Sequence, residues 1–64
     1  EILPLETISA RALARIPGRV LEAELERKGG LWVYELKILD DRVRLLEVYL
    51  DASTGAILKH EGDD

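Results

Sequence analysis

Enzymatic chemistry needs a nucleophile, an acid or base, or a set of metal ligands at workable spacing, and this chain holds few of them. Its one histidine is His60, its serines are Ser9 and Ser53, and it has no cysteine. A serine nucleophile needs a base beside it and a third group to orient that base. Ser9 falls in a helical segment, Ser53 in a turn with no base nearby, and His60 in the closing residues, where it reads as solvated. Zinc takes three or four ligands from His, Cys and carboxylates, so a single histidine falls short. We assign no catalytic residue, no metal ligand and no cofactor.

The carboxylates are the richer group. Glu22, Glu24 and Glu26 alternate along one segment, and Glu35 and Glu47 fall across from them once the segments pair. Two such groups can share a proton, or several can gather a hard cation such as calcium. The simpler reading is a solvated acidic face, partly balanced by Lys37 and neighbouring arginines. The run Asp51-Ala52-Ser53-Thr54-Gly55 lacks the alternating oxygen ligands and twelfth-position glutamate of a calcium-binding EF-hand loop, so it reads as a turn. Gly29-Gly30 opens no helix and is followed by no phosphate-binding lysine.

Composition limits what can position these groups. A chain of 64 residues supports one domain, 1–64, with an ordered core over about 5–59 and a frayed tail at 60–64. Packing alone must hold it, because no disulfide is available. Nine Lys and Arg against thirteen Asp and Glu give a net charge of -4, which leaves no basic field for nucleic acid. No apolar run reaches the roughly 18 to 20 residues of a membrane-spanning helix. The chain also lacks Met, Asn, Gln and Phe, and arginine outnumbers lysine. That matches both a thermophile trend and a GC-rich genome. Glu1 in place of an initiator Met suggests a chain cut from something longer.

The hydrophobic period gives the elements. From Leu5 to Ile16, residues Leu5, Ile8, Ala12, Leu13 and Ile16 share one side of a helix, with Pro4 suited to its start and Pro17-Gly18 to its end. From Arg19 the period becomes two. Leu21, Ala23 and Leu25 alternate with glutamates, and Gly29-Gly30 supplies the positive φ angles of a tight hairpin. Folding there sets Leu25 opposite Tyr34, Ala23 opposite Leu36 and Leu21 opposite Ile38. Asp40-Asp41 marks a second turn of about three residues, and Arg42–Leu50 reads as a third strand. Both of its faces carry apolar residues, so Glu47 decides the register. Burying an unpaired carboxylate costs several kcal/mol, which turns Leu46, Val48 and Leu50 toward the helix. Ala56–Lys59 is a short fourth strand.

The expected fold is therefore α+β, a single N-terminal helix packed on one face of a three- to four-stranded antiparallel meander. Its expected core is Leu5, Ile8, Ala12, Leu13, Ile16, Leu21, Ala23, Leu25, Trp32, Tyr34, Leu36, Ile38, Leu46, Val48, Leu50 and Ile57. The opposite face would carry Val20, Leu31, Val33, Leu39, Val43, Leu45 and Tyr49 among Glu22, Glu24, Glu26, Glu35 and Glu47. An apolar strip rimmed by charge suits a binding surface or a dimer contact. Val33, Val43, Leu45, Tyr49, Glu35 and Glu47 are its candidate partner-binding residues.

Across Leu5 to His60 the chain resembles the PepSY domain family. The resemblance rests on the helix closed by Ile16-Pro17-Gly18, the strand Val20–Glu26 and the segment Trp32–Ile38. Above all it rests on Glu47-Val48-Tyr49-Leu50-Asp51-Ala52-Ser53-Thr54-Gly55 with the return strand Ala56-Ile57-Leu58. The turn at Asp40-Asp41 departs from the family by lacking the glycine many members carry. The resemblance implies a non-enzymatic, exported module, at home in the periplasm, at the cell surface or outside the cell. Its implied partner is a protein, either a peptidase that it regulates or inhibits, or a second copy of itself as a homodimer. Trp32, Tyr34, Asp51, Thr54 and Gly55 match positions that read as structural. The alternative is a structural or sensory domain that binds a small ligand or divalent cation on the acidic face.

Overall fold

A computed structural model of the chain describes residues 1–62. It contains α1 (Leu5–Arg15), β1 (Gly18–Lys28), β2 (Leu31–Asp40), β3 (Leu45–Asp51) and β4 (Ile57–Gly62). The strands form one antiparallel sheet in the order β1-β2-β3-β4, with α1 packed on one face. This is the α+β meander that the hydrophobic period predicts.

Pro4 precedes α1, and its carbonyl accepts the N–H groups of Thr7 and Ile8 at 3.0 and 3.1 Å. Glu6 lies in the first turn and Arg15 in the last, each favourable to the helix dipole. Ile8 and Ala12 project into a core completed by Leu36, Ile38, Val48 and Leu50, all fully buried. Leu13, Ile16, Tyr34 and Ile57 pack around it half-buried. Leu46, Val48 and Leu50 face the helix while Glu47 does not, as its carboxylate requires.

The turns are built from local chemistry. Gly29 and Gly30, at φ 55 and 84, close β1 on β2 with Lys28 opposite Leu31, a geometry that side chains other than glycine adopt at a cost. At the second turn the Asp40 carboxylate is nearly buried. Its Oδ1 accepts the N–H groups of Arg42 and Arg44 at 3.0 and 2.7 Å, and its Oδ2 accepts Arg44 Nε at 2.9 Å. Burial pushes this carboxyl up, but those hydrogen bonds and the guanidinium prevail and hold it below the usual range. The Asp51 Oδ1 accepts the Ser53 N–H and hydroxyl at 2.8 and 2.7 Å, and the Gly55 N–H donates to the Asp51 carbonyl at 2.8 Å. The Asp51–Gly55 run is thus a turn, and Arg11 of the helix donates to the Thr54 carbonyl at 3.2 Å.

Several sequence expectations are corrected. The third strand begins at Leu45, not Arg42, because Asp40 gathers the amides of its own turn. Val43 sits there at φ 61, 80% exposed. Leu21 does not pair with Ile38: the register shifts between Val20 and Glu22, so Val20 meets Ile38 and packs on the core while Leu21 is left outside. The fourth strand continues past Lys59, with His60 opposite Val48 and Gly62 opposite Leu46. The rest of the expected tail, 63–64, lies outside the described residues. Leu5, Leu21, Ala23, Leu25 and Trp32, expected in the core, are exposed.

One cause accounts for most of that exposure. An α-helix is about 10 Å wide and strands lie about 4.8 Å apart, so one helix shelters about two strands. Here β2 and β3 hold the four fully buried strand residues of the core, and the flanking strands are left open. Length matters too. Eleven residues of helix reach about 16 Å, while the longest dimension of the molecule is 33 Å, so the β1–β2 hairpin overhangs the helix.

Candidate functional site

Two surfaces emerge from this arrangement. The first is the sheet face away from α1. Glu35 on β2 pairs with Glu24 on β1 and Tyr49 on β3, and Lys37 pairs with Glu22 and Glu47. The Tyr49 hydroxyl donates toward Glu47 Oε1 at 3.2 Å, with Glu35 Oε2 at 3.4 Å as a second acceptor. Lys28 and Lys59 place their ammonium groups 5.3 and 5.2 Å from the centre of the Tyr49 ring. Carboxylate oxygens of Glu24, Glu26 and Glu35 lie within 4.8 Å of one another. A hollow of about 100 Å³ opens between Glu22, Glu24, Glu35, Lys37 and Glu47.

The electrostatics follow from that crowding. Lost hydration, then the charges of Glu26, Glu47 and Glu24, raise the Glu35 carboxyl above its ordinary range. Burial, then the charges of Glu35 and Glu47, push the Tyr49 phenol up to about 12. Tyr49 therefore stays protonated at neutral pH and serves as a hydrogen-bond donor. Lys37 reaches Glu22 at 3.6 Å and Lys28 reaches Glu26 at 3.5 Å; Glu24 has no such partner among the described residues.

The candidate partner-binding residues divide over this face. Glu35, Glu47 and Tyr49 form one cluster. Val33 is next to it but only 4% exposed, Leu45 lies at the far end of β3, and Val43 stands apart in the turn. His60 lies on the helix side of β4, lining a hollow with Arg15, Pro17 and Arg44, and Ser9 is on α1. Neither serine has His60 as a hydrogen-bond partner. A hollow of about 490 Å³ lies along the outer side of α1 between Glu6, Thr7, Ala10, Arg11 and Ala14 and gathers no set of catalytic groups.

The second surface was not foreseen. β1 is an edge strand of eleven residues; on its helix side Leu25 is 41% exposed with Ala23 exposed beside it, and the bulged Leu21 is 48% exposed. Trp32 continues the strip at 41%, and the Arg27 guanidinium lies 5.3 Å from its ring centre. The Trp32 carbonyl accepts the Ala52 N–H at 2.9 Å, on the side away from β1. The signal for this surface was present in the sequence as the alternation of Leu21, Ala23 and Leu25. Weighing the helix's width against a four-stranded sheet would have left that row uncovered.

Among the described residues no helix is long and apolar enough to cross a membrane. The profile of the PepSY family, described as peptidase propeptide and YPEB domain, matches residues 2–61. No curated protein and no solved structure matches the chain.

Proposed function

Because the chain belongs to the PepSY family, whose domains are regulatory or propeptide-associated rather than catalytic, we propose that it is a protein-binding module that docks a partner along the open edge of β1. The partner is a peptidase that it regulates or inhibits, or another exported protein. PepSY domains typically occur in exported proteins, and this chain acts in the periplasm, at the cell surface or outside the cell.

The observation that carries this reading is the uncovered row Leu21, Ala23, Leu25 and Trp32 beside an unpaired strand edge. An edge strand offers free N–H and C=O groups to any extended segment, and proteins ordinarily blunt such edges with proline, bulges, short strands or charged side chains. β1 has a bulge at one end only, and seven residues beyond it, Glu22 to Lys28, run without interruption. Strand addition draws affinity from the main chain and selectivity from alternate side chains.

Titrating the chain into mature catalytic domains of exported peptidases, with a reporter peptide as substrate, tests the proposal. A saturable loss of turnover is expected, abolished by Leu25→Asp and retained by Val43→Asp, a residue that is more exposed but lies off the edge. Inhibition that survives Leu25→Asp would remove the edge from the reading. No loss with any peptidase would remove the peptidase from it.

A second reading places a divalent cation among Glu24, Glu26 and Glu35, whose oxygens are close enough to share one. Lys28 already answers part of that charge at Glu26, so the cluster favours the first reading.

A further inference from the structure

The edge of β1 is chemically two-sided, and its two rows together specify a guest. In a two-residue hairpin the closing pair, here Lys28 and Leu31, exchanges both main-chain hydrogen bonds, and bonded pairs then alternate along the strand. Lys28, Glu26, Glu24 and Glu22 therefore spend their main-chain groups on β2. Ala23, Leu25 and Arg27 point theirs off the sheet. The position of Trp32 agrees, since it faces Arg27 across the ladder yet gives its carbonyl to Ala52 on the other side. A strand added here would bond to Ala23, Leu25 and Arg27. On the helix side its side chains would meet Ala23, Leu25 and Arg27, with the Trp32 ring on β2 beneath the Arg27 guanidinium at the hairpin end. On the other side they would meet Glu22, Glu24 and Glu26.

Resting on the docking reading above, we infer that the β1 edge takes up one extended peptide segment whose side chains alternate between cationic and apolar. The cationic ones lie over the Glu22–Glu24–Glu26 row and the apolar ones beside Leu25 and Trp32. Charge decides the sign. The face holds Glu22, Glu24, Glu26, Glu35, Glu47 and Glu61 against Lys28, Lys37 and Lys59. Glu24, in the middle of the row, has no basic side chain in reach among the described residues, and Glu35 stands behind it. Opposite charges facing each other across a ladder stabilise it, and like charges destabilise it.

The same rule weighs against a second copy of the chain. Directly opposed residues lie on one face of a sheet. An antiparallel β1–β1 pairing that sets leucine-row residues against each other therefore sets glutamate against glutamate, whether centred on Ala23, Glu24 or Leu25. Centred on Glu24, a homodimer through this edge would bring three carboxylates against three; centred on Ala23 or Leu25 it would bring two against two.

The test uses the chain itself and three capped heptapeptides. One alternates lysine and valine, one alternates glutamate and valine, and one repeats the first with N-methyl groups on alternate backbone nitrogens. Binding is read from the emission of Trp32, the only tryptophan, and from the backbone amide signals of Ala23, Leu25 and Arg27 in NMR spectra. The lysine peptide should bind at least about tenfold tighter than the glutamate peptide and shift those three amides; tenfold corresponds to about 1.4 kcal/mol. The N-methylated peptide, equal in charge but unable to complete a ladder, should lose about tenfold or more. Glu24→Lys, an exposed change confirmed as folded by circular dichroism, should weaken the lysine peptide and strengthen the glutamate one. If lysine and glutamate peptides bind equally and both shift the edge amides, the cationic guest is refuted and edge docking stands. If the N-methylated peptide binds as well as its parent, the contact is unspecific ion pairing and the inference fails. If no peptide shifts the edge amides, both this inference and the docking reading fail.

Discussion

Leu25 and Leu36 offer the sharpest test of where the core ends. Both are leucines on the helix side of adjacent strands, and the sequence pattern treats them alike. Leu36 is fully buried and Leu25 is 41% exposed. Truncating a fully buried leucine to alanine removes its transfer free energy and leaves a cavity, at a cost of about 2 to 5 kcal/mol. At Leu25 water fills the space, so no cavity term arises. Scaling a full-burial value of about 1.5 to 3 kcal/mol by the buried share leaves about 1 kcal/mol. A domain this small commands only about 3 to 5 kcal/mol in all, so Leu36→Ala should be largely unfolded in buffer while Leu25→Ala remains folded. Ile38→Val, expected to cost about 0.5 to 1.5 kcal/mol, keeps a core variant within measurable range. Urea titration followed by circular dichroism and Trp32 emission gives each value. Equal losses for Leu25→Ala and Leu36→Ala at every protein concentration would refute the reasoning, because the row would then belong to the core. A Leu25→Ala loss that grows with concentration would place the row between copies and refute the cationic guest as well.

Three further outcomes are expected. Val43 occupies the left-handed position of a three-residue hairpin loop at a cost of about 1 to 2 kcal/mol, and it is 80% exposed, so little packing is lost on replacing it. Val43→Gly should therefore stabilise by about 0.5 to 1 kcal/mol after glycine's own entropy is charged, seen as a higher melting temperature. In a Tyr34→Phe background, Tyr49 is the only tyrosine, and its phenolate absorbance should rise near pH 12 in the folded chain and near about 10 in urea. The unfolded chain releases that proton first, so stability falls as pH climbs from about 10 toward 12; a midpoint near 10 with native circular dichroism would contradict the described environment of the ring. Because the folded chain holds the Glu35 proton to higher pH than the unfolded one, stability is lost as pH rises through that interval and stays lost at neutrality. Glu35→Gln should raise the melting temperature near about pH 7 and give no gain near about pH 3, and calcium should leave native melting unchanged. A calcium-dependent rise that Glu24→Gln/Glu47→Gln removes would favour the cation reading.

The order of elements, the Gly29-Gly30 hairpin and the inward row of β3 were all legible, because each rests on a local rule. Alternation sets faces, paired glycines allow positive φ, and Glu47 forbids one register of its strand. What escaped depends on objects the pattern does not contain. Alternation says which face Leu21 and Leu25 share, but it does not say how wide the covering helix is. Leu21 left its expected partner because one residue bulges from the ladder, which no change in the apolar period announces. The start of β3 was misplaced because Arg42 and Val43 suit a strand, while the Asp40 carboxylate collects amides two and four residues on. On the acidic face, Glu35 and Glu47 lie within hydrogen-bond reach of Tyr49, a proximity that alternation along β2 and β3 makes legible. Val33 and Val43 were grouped with them on hydrophobicity, yet Val33 is buried and Val43 belongs to the turn.

Ala52 is a mechanical joint. Its N–H holds the Trp32 carbonyl at 2.9 Å and its own carbonyl holds the Leu3 N–H at 2.8 Å. A pull on the segment leading into the helix thus arrives at the base of the tryptophan after two hydrogen bonds, without passing through the helix. The lead-in segment and the base of the hairpin are therefore tied through one residue.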